Sequence, residues 1–242
     1  MRLIEGKKVT KRFGGLSALG AVDFYVDEGE IVGLIGPNGA GKTTLFNVIS
    51  GTFPPTSGEL KFKGRNIVGL KPHQICRLGI ARTFQIPKPF LHMTVYENVL
   101  VPVVFGRVKS RESFDVKQEV NKLLEDFGLA DKGMMPASNL PLFEQRLLEL
   151  VKALSTNPKL LLLDEVMAGL NPAETEKMLK TVRELRDKGI TIFMIEHNMR
   201  ALMKTAERII VLHHGSKICE GPPKEITQNK EVIEADLGEA YA

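Results

Sequence analysis

One nine-residue stretch decides the central architecture of this chain: Gly36-Pro37-Asn38-Gly39-Ala40-Gly41-Lys42-Thr43-Thr44. It matches the pattern GxxxxGK[ST], which binds phosphate where it follows a β-strand and begins an α-helix. The apolar run at residues 30–35 predicts that strand, and residues 44–49 predict that helix. Because glycines let backbone N–H groups approach anionic oxygens, and a helix N-terminus carries partial positive charge, we predict that all nine residues form a site for nucleotide phosphates.

Two side chains of this loop have more specific expected roles. Lys42 is expected to reach the β- and γ-phosphates of ATP. The hydroxyl of Thr43 is expected to bind Mg²⁺, which prefers oxygen ligands. A glycine-rich turn without a ligand is the alternative, but the predicted strand, loop and helix come in the order that the phosphate motif requires.

Two adjacent carboxylates follow a second apolar run. The four leucines at residues 160–163 suit a strand buried on both faces, and Asp164 and Glu165 come at its carboxyl end. Ligands of parallel sheets bind at that edge. Asp164 is expected to hold the magnesium ion, directly or through water, and Glu165 to act as general base toward the attacking water. On these residues alone, a solvated acidic pair at a strand end remains the alternative.

A histidine follows a third strand-like run, at residues 190–195. Imidazole can hydrogen-bond both a γ-phosphate and an attacking water, so His197 is a candidate sensor of the terminal phosphate. A single histidine at a strand end is more often structural. His213 and His214, which precede Gly215 in a predicted turn, illustrate that alternative and are assigned no chemistry.

The rest of the chain follows an α/β pattern, in which short apolar runs alternate with helical segments and feed a mostly parallel sheet. The clearest predicted strands of that sheet are residues 30–35, 160–163, 190–195 and 209–212. Strands of a smaller, N-terminal antiparallel β section are predicted at residues 3–9, 19–26 and 59–62.

Residues 86–155 have a different pattern, with prolines followed by apolar residues at helical spacing. We interpret this segment as a helical subdomain inserted into the α/β core. The whole of residues 1–242 is then a single domain, whose core comprises residues 1–85 and 156–242.

The composition limits the possible classes of protein. A chain of 242 residues with 43% hydrophobic residues can bury one large core, and a net charge of +4 does not indicate nucleic-acid binding. Its two cysteines, Cys76 and Cys219, form neither a disulfide framework nor a zinc motif, which favours a reducing, cytosolic compartment. Because no apolar run approaches the ~18 residues of a membrane span, a membrane role would require docking on a membrane protein.

Taken together, these motifs resemble the ABC ATPase family over nearly the whole chain, which implies a P-loop NTPase core, binding of ATP and Mg²⁺, and ATP hydrolysis. In that family a glutamine joins the core to the helical insert, contacts the magnesium ion and senses membrane subunits, and Gln85 resembles it. His197 matches a family histidine, so the resemblance favours its functional role. Phe13 is similar in place to an aromatic residue that stacks on adenine.

Finer features resemble the ATPases of branched-chain amino-acid importers. They are the segments 12–16, 79–85, 93–100, 168–172, 195–199 and 237–240. The resemblance implies a peripheral subunit on the cytoplasmic side of the cell membrane that powers import of branched-chain or other amino acids. Its implied partners are integral-membrane permease subunits, a second ABC ATPase subunit in a heterodimer and, indirectly, a solute-binding protein, with no nucleic acid.

Three other functions remain compatible with the sequence. The first is a soluble ABC ATPase that acts outside transport, although the fused second cassette, long coiled coil or basic extension common in such proteins is not seen in this sequence. The second is a regulatory subunit that binds nucleotide without hydrolysing it. The third is a lipopolysaccharide-export cassette, which would differ in cargo.

The chain departs from the family at the signature loop, usually Leu-Ser-Gly-Gly-Gln, which binds the γ-phosphate held by the opposite subunit. The matching residues here are Leu140, Pro141, Leu142, Phe143, Glu144 and Gln145. Pro141 offers neither a hydroxyl nor an N–H group, and Phe143 brings bulk where the subgroup has glycine. We therefore predict a weakened contact with the partner's nucleotide and an asymmetric pair of ATP sites. Val166 stands where the family usually has proline, a smaller departure.

Overall fold

The computed structural model describes residues 1–106 and 115–237. Residues 107–114 of the predicted helical insert, and all of the importer-like segment 237–240 except Leu237, lie outside the described residues. The strands are, in chain order, β1 (Arg2–Phe13), β2 (Leu16–Asp27), β3 (Ile31–Ile35), β4 (Ser57–Phe62), β5 (Arg65–Asn66), β6 (Ile80–Arg82), β7 (Leu160–Asp164), β8 (Thr191–Ile195), β9 (Arg208–His213) and β10 (Ser216–Gly221). The helices are α1 (Lys42–Ile49), α2 (Pro72–Leu78), α3 (Val95–Phe105), α4 (Val116–Asp126), α5 (Leu142–Leu154), α6 (Pro172–Asp187), α7 (Met199–Thr205), α8 (Pro223–Ile226) and α9 (Lys230–Leu237).

These strands form a mostly parallel sheet and an antiparallel sheet. In the larger sheet the strand order is β10-β9-β3-β8-β7-β6, with β10 antiparallel to β9 and the other neighbouring pairs parallel. The smaller sheet has the order β2-β1-β4-β5 and is antiparallel. The predicted α/β class, with a mostly parallel sheet and an N-terminal antiparallel section, is confirmed.

Strand β7 shows how the larger sheet is buried on both faces. Leu161 and Leu163 pack in a core cluster with residues of α3, α5 and α6, whereas Leu160 and Leu162 pack in a second cluster with residues of α1, β1 and β2. Every residue of β7 is buried. Because successive side chains of a strand point to opposite faces, four consecutive leucines supply both layers of the core.

Helices α3, α4 and α5 lie between β6 and β7, which are neighbours in the sheet, so the helical segment is an insertion between two adjacent parallel strands. Helix α3 begins with a capping box. The Thr94 hydroxyl accepts a hydrogen bond from Glu97 N at 3.1 Å, and the Glu97 carboxylate accepts one from Thr94 N at 2.8 Å. Reciprocal bonds of this kind satisfy N–H groups that a helix start leaves without partners.

The antiparallel strands are longer than the sequence pattern predicts. Strand β1 continues to Phe13, and β2 begins at Leu16, because the two strands pair up to a turn in which Gly14 has a φ of 58°. Thr10, Lys11 and Arg12 are polar and half-buried or exposed, so no apolar alternation marks this end of the strand. The pattern also missed β6, a strand of three residues that is held by pairing with β7.

The glycine-rich loop packs closely against the end of β9. Gly36 has a φ of 141°, and a Cβ atom at this position would lie 1.9 Å from the carbonyl oxygen of Leu212. At Gly39, with a φ of 79°, no atom from elsewhere in residues 1–106 or 115–237 lies within 4 Å of the corresponding position. The loop therefore requires glycine at residue 36 both for its backbone conformation and for its contact with a neighbouring strand.

The variants Gly36→Ala and Gly39→Ala separate these two requirements. Gly39→Ala places a side chain at a φ near the left-handed helical region, which costs about 1 to 2 kcal/mol, whereas Gly36→Ala places one at a φ of 141° and also forces its Cβ against a strand backbone. Denaturant unfolding without nucleotide should show the larger loss of stability for Gly36→Ala, by at least about 1 kcal/mol. Equal losses for the two variants would contradict the close approach of Gly36 to β9.

Candidate functional site

The candidate functional residues meet at one edge of the larger sheet. The glycine-rich loop follows β3, Asp164 ends β7 with Glu165 next to it, and His197 follows shortly after β8. Strands β3, β8 and β7 are consecutive neighbours in the sheet and run parallel. Since parallel strands end at the same edge, the topology alone brings these three segments together.

Lys42 lies inside the glycine-rich loop. Its Nζ donates to the carbonyl oxygens of Gly36 at 2.5 Å and of Pro37 at 2.9 Å, and the residue is only 6% exposed. A buried ammonium group needs such acceptors. Gly41, with a φ of 101°, precedes the first turn of α1.

The other residues of the loop divide by exposure. Asn38, Gly39 and Thr43 are exposed, whereas Ala40 is buried and Thr44 is half-buried. The exposed members lie where the loop and the N-terminus of α1 face solvent. A bound anion could therefore be reached by the N–H groups of this part of the loop.

Glu165 brings two other candidate residues together. Its Oε2 accepts a hydrogen bond from Gln85 Nε2 at 2.8 Å, and its Oε1 lies 2.9 Å from His197 Nε2. Glu165 itself has a φ of 51°, an unusual conformation for a residue other than glycine, and its N–H donates to the carbonyl of Ile195 at 3.0 Å. A carboxylate, an amide and an imidazole from three separate segments thus form one hydrogen-bonded cluster.

Asp164 is buried and held by two contacts. Its Oδ2 lies 2.7 Å from Nη2 of Arg82, and its backbone N–H donates to the Thr83 hydroxyl at 3.2 Å. The carboxylate of Asp164, the hydroxyl of Thr43 and the amide oxygen of Gln85 are all donor types that Mg²⁺ prefers. Because Nε2 of Gln85 binds Glu165, Oε1 is the amide atom that would face a cation. The donor chemistry therefore fits magnesium.

Arg146, on α5, is a residue that the sequence analysis did not identify. Its guanidinium donates to the carbonyl oxygen of Gln85 and, at 3.1 Å, to that of Ala168. The residue is 7% exposed. The available signal was a charged residue directly before the leucines of α5, although Glu149 is a second charged residue among the buried positions of this helix. Through Arg146 the helical insert contacts both the Gln85 segment and the loop that follows Glu165.

Glu196 is a second residue that the sequence analysis did not identify as functional. It is 3% exposed, and its Oε1 accepts a hydrogen bond from Met167 N at 3.2 Å. The pKa of Glu196 is raised to about 7, chiefly by burial. The nearby carboxylates of Glu165 and Asp164 also raise this pKa, whereas the Met167 N–H and Arg146 lower it, and the value of about 7 is the net result. Its position between a buried strand and His197 was the available signal.

Phe13 lies at the end of β1, beside the hairpin that borders the glycine-rich loop. Its ring is 46% exposed and packs edge-on against Phe53, with centroids 5.2 Å apart. Lys11 Nζ lies 5.0 Å from the centroid of Phe13. Strand β2 of this hairpin packs against the glycine-rich loop at Gly41. A Cβ atom added at Gly41 would lie 2.6 Å from the carbonyl oxygen of Ala18. The structure thus places an exposed aromatic ring on the hairpin next to the phosphate loop.

The altered signature segment begins helix α5. Pro141 precedes the first turn and is exposed, as is Leu142, whereas Leu140 is buried. The half-buried Phe143 packs against the larger core cluster. Gln145 Nε2 donates to the carbonyl of Leu140 at 2.8 Å, and Glu144 pairs with Lys132. The segment therefore presents a proline ring and a leucine side chain to solvent.

Comparison with known proteins gives one family. Residues 19–168 match the family model described as ABC transporter. The chain is 42% identical to the high-affinity branched-chain amino acid transport ATP-binding protein LivG of Salmonella typhimurium. The alignment is 242 positions long and covers 95% of each chain. It is 38% identical to the corresponding protein BraF of Pseudomonas aeruginosa, with 98% of each chain covered.

Solved structures give the same result for the fold. A nucleotide-free ATP-binding cassette from an ABC transporter is similar with a TM-score of 0.89 and 31% identity, over 97% of this chain and 98% of that one. The ADP conformation of an ATP-binding cassette of an ABC transporter gives a TM-score of 0.88 and 32% identity, over 98% and 99%. Within residues 1–106 and 115–237, no helix combines the length and apolar character needed to cross a membrane.

The variant Glu196→Gln tests the buried carboxylate. Because the pKa of Glu196 in the folded chain is about 7, above the ordinary 4.5, the folded state retains a proton that the unfolded state has lost between these pH values. Glu196 therefore lowers the stability of the native chain as pH rises through this window. The stability of Glu196→Gln relative to native should rise by on the order of 2 kcal/mol between pH 5 and pH 8.

Metal-free denaturant unfolding at several pH values measures this difference. Glu184→Gln, which makes the same substitution at an exposed position of α6, serves as control and should show no such trend. A constant difference between Glu196→Gln and the native chain would show that Glu196 does not retain its proton in the folded state.

Proposed function

Because this chain belongs to the ABC transporter family of ATPases, we propose that it is the ATP-hydrolysing subunit of an importer for branched-chain or related amino acids. The observation that carries the proposal is the meeting of the phosphate loop, Asp164 and the Gln85–Glu165–His197 cluster at one sheet edge. The amino-acid cargo is supported by the names of the LivG and BraF relatives.

Lys42 and the loop around it would bind the phosphates of ATP. Phosphate oxygens carry charge and are therefore stronger acceptors than the carbonyl oxygens of Gly36 and Pro37, which Nζ contacts in this structure. Lys42 would exchange these acceptors for the terminal phosphates. The adenine ring would stack on Phe13, whose exposed ring lies on the adjoining hairpin.

Glu165 is proposed as the general base. As the oxygen of a water molecule attacks the γ-phosphorus, a carboxylate oxygen of Glu165 takes the proton, and the products are ADP and phosphate. Gln85 and His197 hold the carboxylate from two sides, which restricts its rotation. Thr43, Gln85 and Asp164 are the residues that would hold Mg²⁺, which when bound offsets charge on the terminal phosphates.

The membrane permease is proposed to dock in the groove between the core and the helical insert. This groove encloses about 430 Å³ and is lined by Ile75, Phe84, Phe90 and Pro102, among others. Ile86, close to it in sequence, is 72% exposed. An exposed apolar groove suits a protein partner. Because Gln85 directly follows Phe84, movement in the groove would reach the hydrogen bond that Gln85 donates to Glu165.

The complete transporter is proposed to contain a second, different ABC ATPase. Across the family's dimer interface, the exposed Pro141 would face the partner's nucleotide without a hydroxyl or N–H donor. Each missing charge-assisted hydrogen bond is worth roughly 1.5 to 3 kcal/mol. The ATP bound by this chain would be hydrolysed against the partner's intact signature, and the partner's own ATP more slowly.

The location follows from these partners. Docked on permease subunits, the chain would be peripheral on the cytoplasmic side of the cell membrane, and a solute-binding protein would contact the permeases rather than this chain. No nucleic acid is included among the proposed partners. The altered signature also favours a second candidate, a regulatory subunit that binds ATP without hydrolysing it.

Two variants separate binding from hydrolysis. Lys42→Ala should weaken binding of Mg-ATP in calorimetry by at least about 10-fold, because it removes charge-assisted hydrogen bonds to phosphate. Glu165→Gln should bind Mg-ATP normally but lower turnover of the complete transporter by about 10²-fold or more, and uptake of labelled leucine should fall with it. Glu184→Gln is the matched control on an exposed helix.

Each outcome bears on a different part of the proposal. Full affinity for Mg-ATP in Lys42→Ala would overturn the nucleotide site. Undiminished turnover of the transporter with Glu165→Gln would favour the regulatory subunit, because another subunit would then carry out the hydrolysis. Normal ATP turnover without leucine uptake in the native transporter would leave the ATPase and reject the cargo.

The altered signature predicts slow turnover by the isolated chain, since two copies would each present a poor signature to the other. The double variant Pro141→Ser, Phe143→Gly should raise turnover of the isolated chain by about 10-fold or more, because it restores a hydroxyl and a glycine. Met134→Ala, at an exposed apolar position of the same insert, should not. Brisk, cooperative turnover by the native isolated chain would contradict the asymmetric pair.

A further inference from the structure

We infer that Arg82 is a positioning residue that occupies the Asp164 carboxylate in the absence of divalent metal and competes with Mg²⁺ for it. The inference rests on the proposed function for the role of Asp164 as a metal ligand. Its own basis is the ion pair between Nη2 of Arg82 and Oδ2 of Asp164, at 2.7 Å.

The pair is almost fully removed from solvent. The side chains of Arg82 and Asp164 are 8% and 3% exposed. Strands β6 and β7 are parallel, and Arg82 lies opposite Leu162, two residues before Asp164. A carboxylate at this depth is costly without a compensating cation. Arg82 supplies that cation, so a metal that reached Asp164 would meet an already compensated carboxylate.

The guanidinium of Arg82 also has partners that do not involve Asp164. Nη1 donates to Asn47 Oδ1 at 2.6 Å and to Ser50 Oγ at 3.3 Å. The guanidinium carbon lies 5.8 Å from the ring centroid of Phe46 and 5.4 Å from that of Phe84. Release of Asp164 would therefore leave Arg82 held by polar and aromatic contacts, which lowers the cost of giving up the carboxylate to a metal.

The hydrogen bonds of Arg82 are incomplete in this arrangement. Its Nε is buried and has no hydrogen-bond partner among the described residues. A buried donor without a partner costs free energy, so this orientation of the guanidinium is less stable than a fully bonded one. A reorientation that gave Nε a partner would recover that free energy and favour release of Asp164.

The position of Arg82 links the competition to the rest of the site. Asn47 and Phe46 belong to α1, whose first turn carries Thr43, and Phe84 directly precedes Gln85. Transfer of Asp164 from Arg82 to a metal would shift the contacts of the guanidinium toward α1 and Phe84. Metal binding would thereby be communicated to the segment that places Gln85 against Glu165.

The test compares ATP affinity with and without metal, as the ratio of the Kd in EDTA to the Kd in excess Mg²⁺, measured by calorimetry. Arg82→Gln leaves Asp164 without its cation, so the ratio of the two Kd values should rise by about 10-fold or more. The concentration of Mg²⁺ that half-saturates its effect on ATP affinity should fall. Arg82→Lys keeps the charge without the fork of donors, so its ratio should lie between those of Arg82→Gln and the native chain.

Two further variants make the result specific. Arg208→Gln removes an equally buried arginine that pairs with Glu30, away from the site, and its ratio should stay within about 2-fold of the native value. In an Asp164→Asn background, Arg82→Gln should change the ratio much less than it does beside the native carboxylate. Thermal unfolding of each variant reports whether it is folded, and Arg82→Lys carries the test if Arg82→Gln is not.

An unchanged ratio in Arg82→Gln, or an equal rise in the Asp164→Asn background, would overturn the competition. These results are distinct from a failure of the proposed function, since the native chain and Arg208→Gln would still bind Mg-ATP. Loss of Mg-ATP binding by the native chain would instead reject the nucleotide site itself.

Discussion

The common carboxyl-terminal edge of β3, β8 and β7 is the constraint on which the candidate site depends. These strands are buried at every position, so their ends cannot be displaced without opening both layers of the core. The loops that follow these strands therefore begin at fixed positions. The close contact of Gly36 with the end of β9 extends this constraint to the phosphate loop. A site built at such an edge keeps its geometry before any ligand arrives.

This edge concentrates acidic side chains, and the structure balances them in different ways. Asp164 is paired with Arg82, Glu165 lies within hydrogen-bond distance of Gln85 and His197, and Glu196 has a pKa raised to about 7. A proton, a guanidinium and polar donors thus reduce the repulsion among three carboxylates. Each of the three carboxylates is therefore held by different neighbours, and a substitution at one of them leaves the means of compensation of the other two in place.

The helical insert is joined to this edge by few but buried polar contacts. Arg146 bonds to the carbonyls of Gln85 and Ala168 from within α5, whose first turn carries the altered signature. One helix therefore touches both the segment that contains Gln85, next to the apolar groove, and the loop next to Glu165. Movements of the insert are expected to reach the Gln85–Glu165–His197 cluster through this helix and not through the sheet, whose strands are fixed by packing.

Sequence by itself determined the fold class, the glycine-rich loop between a strand and a helix, and the two strand ends that Asp164 and His197 lie at or follow. These features depend on short-range chemistry: the glycines of residues 36–41, the leucines of residues 160–163, and the order of strand, loop and helix. The strand bounds predicted from sequence agree with those of the structure to within one or two residues where the strand is apolar throughout. They failed for the polar end of β1, where pairing and not hydrophobic pattern extends the strand.

Only the tertiary structure decided the partners. Arg82 and Asp164 are 82 residues apart in sequence, and Arg146 and Gln85 are 61 apart. A short strand such as β6 carries no pattern strong enough to be recognised, so the neighbour of β7 was not predictable. Whether a charged side chain is paired, protonated or exposed depends on burial and on what the fold places beside it, and neither quantity is encoded in local spacing.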